Sequence, residues 1–86
     1  MCYTIFISKS VQKQIDDLPI HVRERVVEKI QNLAGEPRPD AVVKLKGYNN
    51  EYRIRVGDYR VRYNIDDESQ FVQLLQCKHR KDIYRK

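Results

Sequence analysis

The chain reads as an α+β domain: an N-terminal strand, a helical hairpin, then an antiparallel meander, with the helices packed on one face of a four- to five-stranded antiparallel sheet. Three observations predict it. The opening run CYTIFIS alternates Tyr3, Ile5 and Ile7 among β-forming residues. Apolar residues at helical spacing follow in two stripes divided by a proline. From Glu51 onward the pattern returns to strict alternation, broken by short turn sequences.

Val11, Ile15 and Leu18 stand at the i, i+4, i+7 spacing of a first helix, which Ser8 or Ser10 can cap. Leu18-Pro19 ends it, because the residue before a proline is pushed out of helical geometry. Pro19 can open the second helix as its first residue, and Val22, Val26, Ile30 and Leu33 make the stripe that stops at Gly35. EPRPD is a loop, a short extended piece lies near Val42 to Leu45, and a last strand runs from Phe71 to Cys77 after a turn at Asp66 to Ser69. The basic tail KHRKDIYRK closes the chain. No repeat or linker divides residues 1–86, which form a single domain.

Composition narrows the function classes. With 86 residues and 41% apolar content the chain can build one core. Cys2 and Cys77 have no metal-ligand or redox spacing and are too few for a disulfide framework, which fits a reducing compartment. MCYTIFISKSV has neither a basic leader nor an apolar run long enough for a membrane span, so the expectation is a cytoplasmic protein with no membrane partner. The net charge of +5 is unevenly spread: residues 1–43 hold six Lys/Arg against six Asp/Glu, and residues 44–86 hold eleven against six. A basic half-domain implies an acidic partner.

The centre of that half is EYRIRVGDYRVRYNI, residues 51–65. With Gly57-Asp58 as a two-residue turn, Val56 faces Tyr59, Arg55 faces Arg60, Ile54 faces Val61, and Arg53 faces Arg62. Directly opposed residues share a face, so four arginines crowd together on one side while Tyr52, Ile54, Val56, Val61 and Tyr63 turn toward the helices. Like charges so opposed destabilise a strand pair. No acid interleaves at the matching positions, and guanidinium forks suit phosphate, so the face is predicted to bind an anion.

Other residues are weighed against plainer roles. By parity Tyr59 belongs to the apolar face, as core or rim. Tyr84 stands in the basic tail, where an exposed ring can stack on an unpaired base. His21 reads as a surface residue. His79, between Lys78 and Arg80, is a candidate acid or base or a phosphate contact. The chain has no Gly-rich phosphate loop, zinc-type Cys/His set, nucleophile elbow or paired carboxylates in an apolar setting; no metal or cofactor is expected.

KLKGYNNEYRIRVGDYRVRY followed by KHRKDIY resembles the RelE/ParE superfamily of toxins, its RelE branch in particular, and the likeness covers nearly the whole chain. The resemblance implies a microbial-ribonuclease-like fold and an endonuclease that cuts mRNA inside the translating ribosome, by in-line attack of the RNA's own 2′-hydroxyl. It also implies neutralisation by a RelB-type antitoxin in a hetero-oligomer. By position, Arg53 and Arg55 would orient or activate the 2′-hydroxyl, Arg60 would stabilise the scissile phosphate, Arg80 with His79 would serve the leaving group, and Tyr84 would stack on the substrate. Lys44 and Lys46 would supply backbone contacts to RNA, with Arg62, Lys78 and Lys81 in the same RNA-binding set. Some members carry lysine where Arg53 and Arg55 stand, and arginine stays protonated, so their part would be electrostatic and His79 the proton carrier. Cys77-Lys78 stands where the family often has Val-Gly. Two alternatives are a ParE-type inhibitor of DNA gyrase and a non-catalytic RNA-binding module.

Overall fold

The computed structural model describes residues 2–40, 42–45 and 50–83. Its elements are β1 (Thr4–Ile7), α1 (Lys9–Asp16), α2 (Ile20–Asn32), β2 (Val43–Lys44), β3 (Glu51–Val56), β4 (Tyr59–Asp66), β5 (Phe71–His79) and α3 (Arg80–Ile83). They build the expected layers, helices on one face of a five-stranded sheet in the order β1-β5-β4-β3-β2. No described helix is long and apolar enough to cross a membrane.

The helices start and stop where local chemistry directs. Ser8 caps α1, its hydroxyl oxygen accepting the Val11 N–H at 3.3 Å, and Val11 and Ile15 are buried. Pro19 sits one position earlier than expected, as the N-cap of α2 in extended geometry, not as its first helical residue. Its ψ of 144° redirects the chain. Val26, Ile30 and Leu33 then meet Tyr52, Ile54 and Val56 of β3, Val61, Tyr63 and Ile65 of β4, and Val72, Leu74 and Cys77 of β5 in one core.

Two strands differ from the expectation. β1 pairs with β5 in parallel, Thr4 beside Phe71 through Ile7 beside Leu74, whereas the other three pairings are antiparallel. The helical hairpin carries the chain from β1 to β2 at the opposite edge of the sheet, and β3 and β4 then bring it back to β5 beside β1. As an edge strand β1 is poorly covered: Ile5 packs on the core, as does Tyr3 just ahead of the strand, but Phe6 is 50% and Ile7 39% exposed. β5 continues past Cys77 to His79, and the tail then forms α3. The Arg80 N–H donates to the Asp58 carbonyl at 2.7 Å, which fastens the start of α3 to the β3–β4 turn.

The EPRPD loop is fixed by a polar cluster that no local pattern announces. The Arg38 guanidinium lies over the Tyr52 ring, 5.1 Å from its centroid, and donates Nε–H to the Tyr52 hydroxyl at 2.9 Å. Its two Nη atoms grip the Asp67 carboxylate at 3.2 and 2.9 Å, and the Tyr3 hydroxyl donates to Asp67 Oδ1 at 2.7 Å. Hydrogen bonds from Arg38 and then Tyr3 hold the Asp67 carboxyl below its ordinary 3.8. A carboxylate depressed by folding stabilises the native state above its unfolded pKa, and that contribution is lost as pH falls through the folded value. Asp67→Asn is therefore expected to flatten the acid limb of the stability profile below about pH 4, as followed by urea melts; a limb as steep as that of the parent would show that the cluster does not couple to folding.

Candidate nucleic-acid interface

The β3–β4 hairpin has the register its sequence predicts: Arg53 pairs with Arg62, Ile54 with Val61, Arg55 with Arg60 and Val56 with Tyr59. Gly57 takes φ of +60°, a left-handed conformation that a Cβ would strain. Tyr52, Ile54, Val56, Val61 and Tyr63 are buried under the helices, so the arginines share the uncovered face.

β5 extends each row. Arg60 pairs with Lys78 on its far side and Arg62 with Gln76. Strict alternation from Val72 and Leu74 would turn Lys78 inward, but the register shifts between Arg62 and Tyr63, whose partners are Gln76 and Leu74, so Leu75 is an extra residue. This bulge lets Leu74 and Cys77 both enter the core and carries Lys78 out beside Arg60. Burial pushes the Cys77 thiol up to about 11. From α1, Gln14 accepts the Cys77 N–H on its Oε1 at 2.7 Å, a bond that holds β5 beyond the end of β1. Sequence reasoning missed Gln14, since nothing in a polar helical residue signals a partner 63 positions away. Gln14→Leu should lower stability by about 1–2 kcal/mol through the unpaired amide, measured by urea unfolding; an unchanged midpoint would mean that water replaces the bond at no loss.

The first row is thus Arg55, Arg60 and Lys78, with directly opposed Cα atoms about 4.5–5.5 Å apart. Arg55 Nε and Arg60 Nη1 both donate to the Gly57 carbonyl at 3.3 Å, and Arg60 Nη1 also reaches the Tyr59 carbonyl at 3.2 Å. Peptide dipoles hold these groups in place, and among the described residues no carboxylate pairs with any of the three. In the second row, Arg53, Arg62 and Gln76, the expectation of unopposed charge is corrected. Glu51 is the first residue of β3, not a residue ahead of it, and its Oε1 lies 3.4 Å from Arg62 Nε, with the two side chains 15% and 36% exposed.

The remaining candidates are dispersed. His79 pairs with Tyr59, itself opposite Val56, so it belongs to the helix-side face and not to that of the cations. Its ring meets Tyr59 edge-on at 5.2 Å, and its Nδ1 accepts the Lys81 N–H at 3.2 Å. The structure therefore does not bring His79 to the arginine row. Together with Gln14, Asp17, Tyr59, Lys78 and Asp82 it lines an open cleft at the end of β5. Arg80 Nε stands 3.9 Å from Asp58 Oδ1, with both side chains exposed, and Lys81 is exposed on α3. Lys44 pairs with Tyr52 and so lies on the helix-side face at the sheet's edge, away from the arginines. Lys46 and Tyr84 fall outside the described residues. Among the described residues no group of three His, Cys, Asp or Glu is placed to hold a metal ion.

Known proteins share this plan. The family of the ParE toxin of the type II toxin–antitoxin system, parDE, matches residues 5–84. Toxin RelE3 of Methanocaldococcus jannaschii is 33% identical over 85 residues, 93% of each chain. Toxin RelG of Mycobacterium tuberculosis is 32% identical over 87 residues, spanning 100% of both chains. Among solved structures, the archaeal RelE–RelB complex from Pyrococcus horikoshii OT3 superposes with a TM-score of 0.84 at 34% identity, covering 95% of this chain and 99% of that one. The isolated E. coli RelE toxin superposes with a TM-score of 0.79 at 27% identity, covering 95% and 90%. A family match across nearly the whole sequence, together with toxin relatives of similar length and fold, makes this chain a member of the RelE/ParE toxin family of type II toxin–antitoxin systems.

Proposed function

We propose that this toxin is a ribosome-dependent endoribonuclease that cleaves mRNA by in-line attack of a 2′-hydroxyl and so arrests translation in the cytoplasm. The observation that carries the reading is the Arg55–Arg60–Lys78 row: three cations side by side on an uncovered sheet face, with no carboxylate among the described residues paired to them. A phosphodiester laid on this row meets two guanidinium forks and an ammonium. As the 2′-oxygen bonds to phosphorus, negative charge grows on the non-bridging oxygens, where pre-placed cations stabilise it most. The 5′-oxygen then leaves, giving a 2′,3′-cyclic phosphate and a free 5′-hydroxyl.

Arginine does not release its proton, and His79 faces the other side of the sheet. The part proposed for Arg55, Arg60 and Lys78 is therefore electrostatic. Arg53 and Arg62 extend the positive field along the strands, Arg80 and Lys81 add charge on α3, and Tyr84 is the residue proposed to stack on the substrate. A RelB-type antitoxin is the proposed partner, as in the RelE–RelB complexes of its structural neighbours, with carboxylates set against this face.

Purified toxin added to a translating extract decides between the readings. Truncated mRNA cut at ribosome-bound codons, with 5′-hydroxyl ends, supports the proposal. Intact mRNA with stalled gyrase–DNA complexes supports the ParE-type activity that the matched family's name carries. RNA that is bound and left whole supports a binding module.

A further inference from the structure

Beyond the cation row, the open face changes character. Arg53, Arg62 and Gln76 form the next row, and Glu51, Asn64 and Gln73 the one after it. Three buried side-chain polar atoms among the described residues lack a hydrogen-bond partner: Arg62 Nε, Asn64 Oδ1 and Gln76 Oε1. All three belong to these two rows. Arg62 Nε is near enough to Glu51 for attraction at 3.4 Å, but not aligned for a hydrogen bond. Buried polar atoms in a folded chain are nearly always satisfied, so orphans gathered on one face call for a partner that the described residues do not supply.

The partner's chemistry follows from the atoms. Two of the orphans are carboxamide oxygens, which accept from N–H donors. Successive same-face positions on a strand lie about 6.7 Å apart, so Gln76 stands one such step and Asn64 two, about 13 Å, from the first row, along the path of a base whose phosphate rests there. Proteins that read RNA sequence do so on the hydrogen-bonding edges of unstacked bases, and Asn and Gln are recurrent readers of nucleobase edges. We infer that Asn64 and Gln76 form a subsite for the nucleobase flanking the scissile phosphate, taking bases with an exocyclic amino group in preference to uracil. Adenine, cytosine and guanine offer that amine. Uracil presents carbonyl oxygens on either side of its one ring N–H, and these would oppose the orphan acceptors.

The inference rests on the ribonuclease reading, and two measurements keep the two apart. In the first, wild-type, Gln76→Leu and Asn64→Leu toxins cut a set of mRNAs differing only in the base beside the cleavage point. The expected result is a wild-type preference for amino-bearing bases over uracil that falls roughly tenfold in each variant, while cleavage beside uracil is kept. An equal fall at every base, or no wild-type preference, overturns the subsite. In the second, side-chain NH2 resonances of Asn64 and Gln76 in the wild-type protein are followed during titration with 2′-O-methyl dinucleotides of adenosine or of uridine. Selective shifts with the adenosine probe support the subsite, and equal shifts or none refute it. Should the wild type cut no RNA, the ribonuclease reading fails and the titration alone decides the subsite.

Discussion

Arg60→Ala is expected to reduce mRNA cleavage by about 10²- to 10³-fold, the loss typical when one pre-placed group facing transition-state charge is removed. The melting transition should meanwhile stay put or rise slightly. Arg60 stands directly between Arg55 and Lys78, and removing it relieves two like-charge contacts. Its own hydrogen bonds, to the Gly57 and Tyr59 carbonyls, are near the surface, where water can replace it. Activity and stability therefore move in opposite directions, as expected of a residue kept for function at a cost to folding. Arg60→Lys should restore part of the rate, since charge returns without the bidentate fork. Cleavage assays with translating ribosomes and thermal melts on the same preparations test both halves. Cleavage within tenfold of the parent would remove Arg60 from the site, and a large drop in melting temperature would make its role structural.

The arginine hairpin was legible because two local signals agree. A Gly-Asp turn fixes the register and alternation fixes the face, so each cross-strand partner from Val56–Tyr59 to Arg53–Arg62 followed from counting. The third cation was legible only as a charge, since the bulge at Leu75 that turns Lys78 outward breaks the alternation without any glycine or proline to mark it. His79 was misplaced for a related reason. With the last strand read as ending at Cys77, the histidine had no face, and the two further ladder positions assign it one opposite to the cations. Contacts between distant segments lie beyond pattern reading: Arg38 finds Asp67 29 residues away and Gln14 finds Cys77 63 away, and both are set by how the layers stack. Glu51 failed by a single residue at a strand boundary, the least determinate feature of any sequence reading.

Tyr63→Ala should cost about 3–5 kcal/mol, enough to unfold much of the population of a small domain whose total stability is of the order of 5–15 kcal/mol. Tyr63 is fully buried in β4, the central strand, with its ring 6.0 Å from that of Tyr52 and its hydroxyl donating to the Pro37 carbonyl at 2.7 Å. Burial keeps that hydroxyl protonated by raising its pKa. Tyr63→Phe, which fills the same space but orphans the carbonyl, should cost about 1–3 kcal/mol and leave a folded, active toxin. Urea unfolding measures both. The pair matters for function because β4 carries Tyr63 on one face and Arg60 and Arg62 on the other, so loss of toxicity alone cannot tell a damaged site from a lost fold. If Tyr63→Ala abolishes cleavage with the melt while Arg60→Ala abolishes it without one, the two faces of a single strand have separate duties. A Tyr63→Ala protein that stays folded and active would instead mean that the core tolerates a cavity beneath the cation row, and that the row's geometry does not depend on the packing behind it.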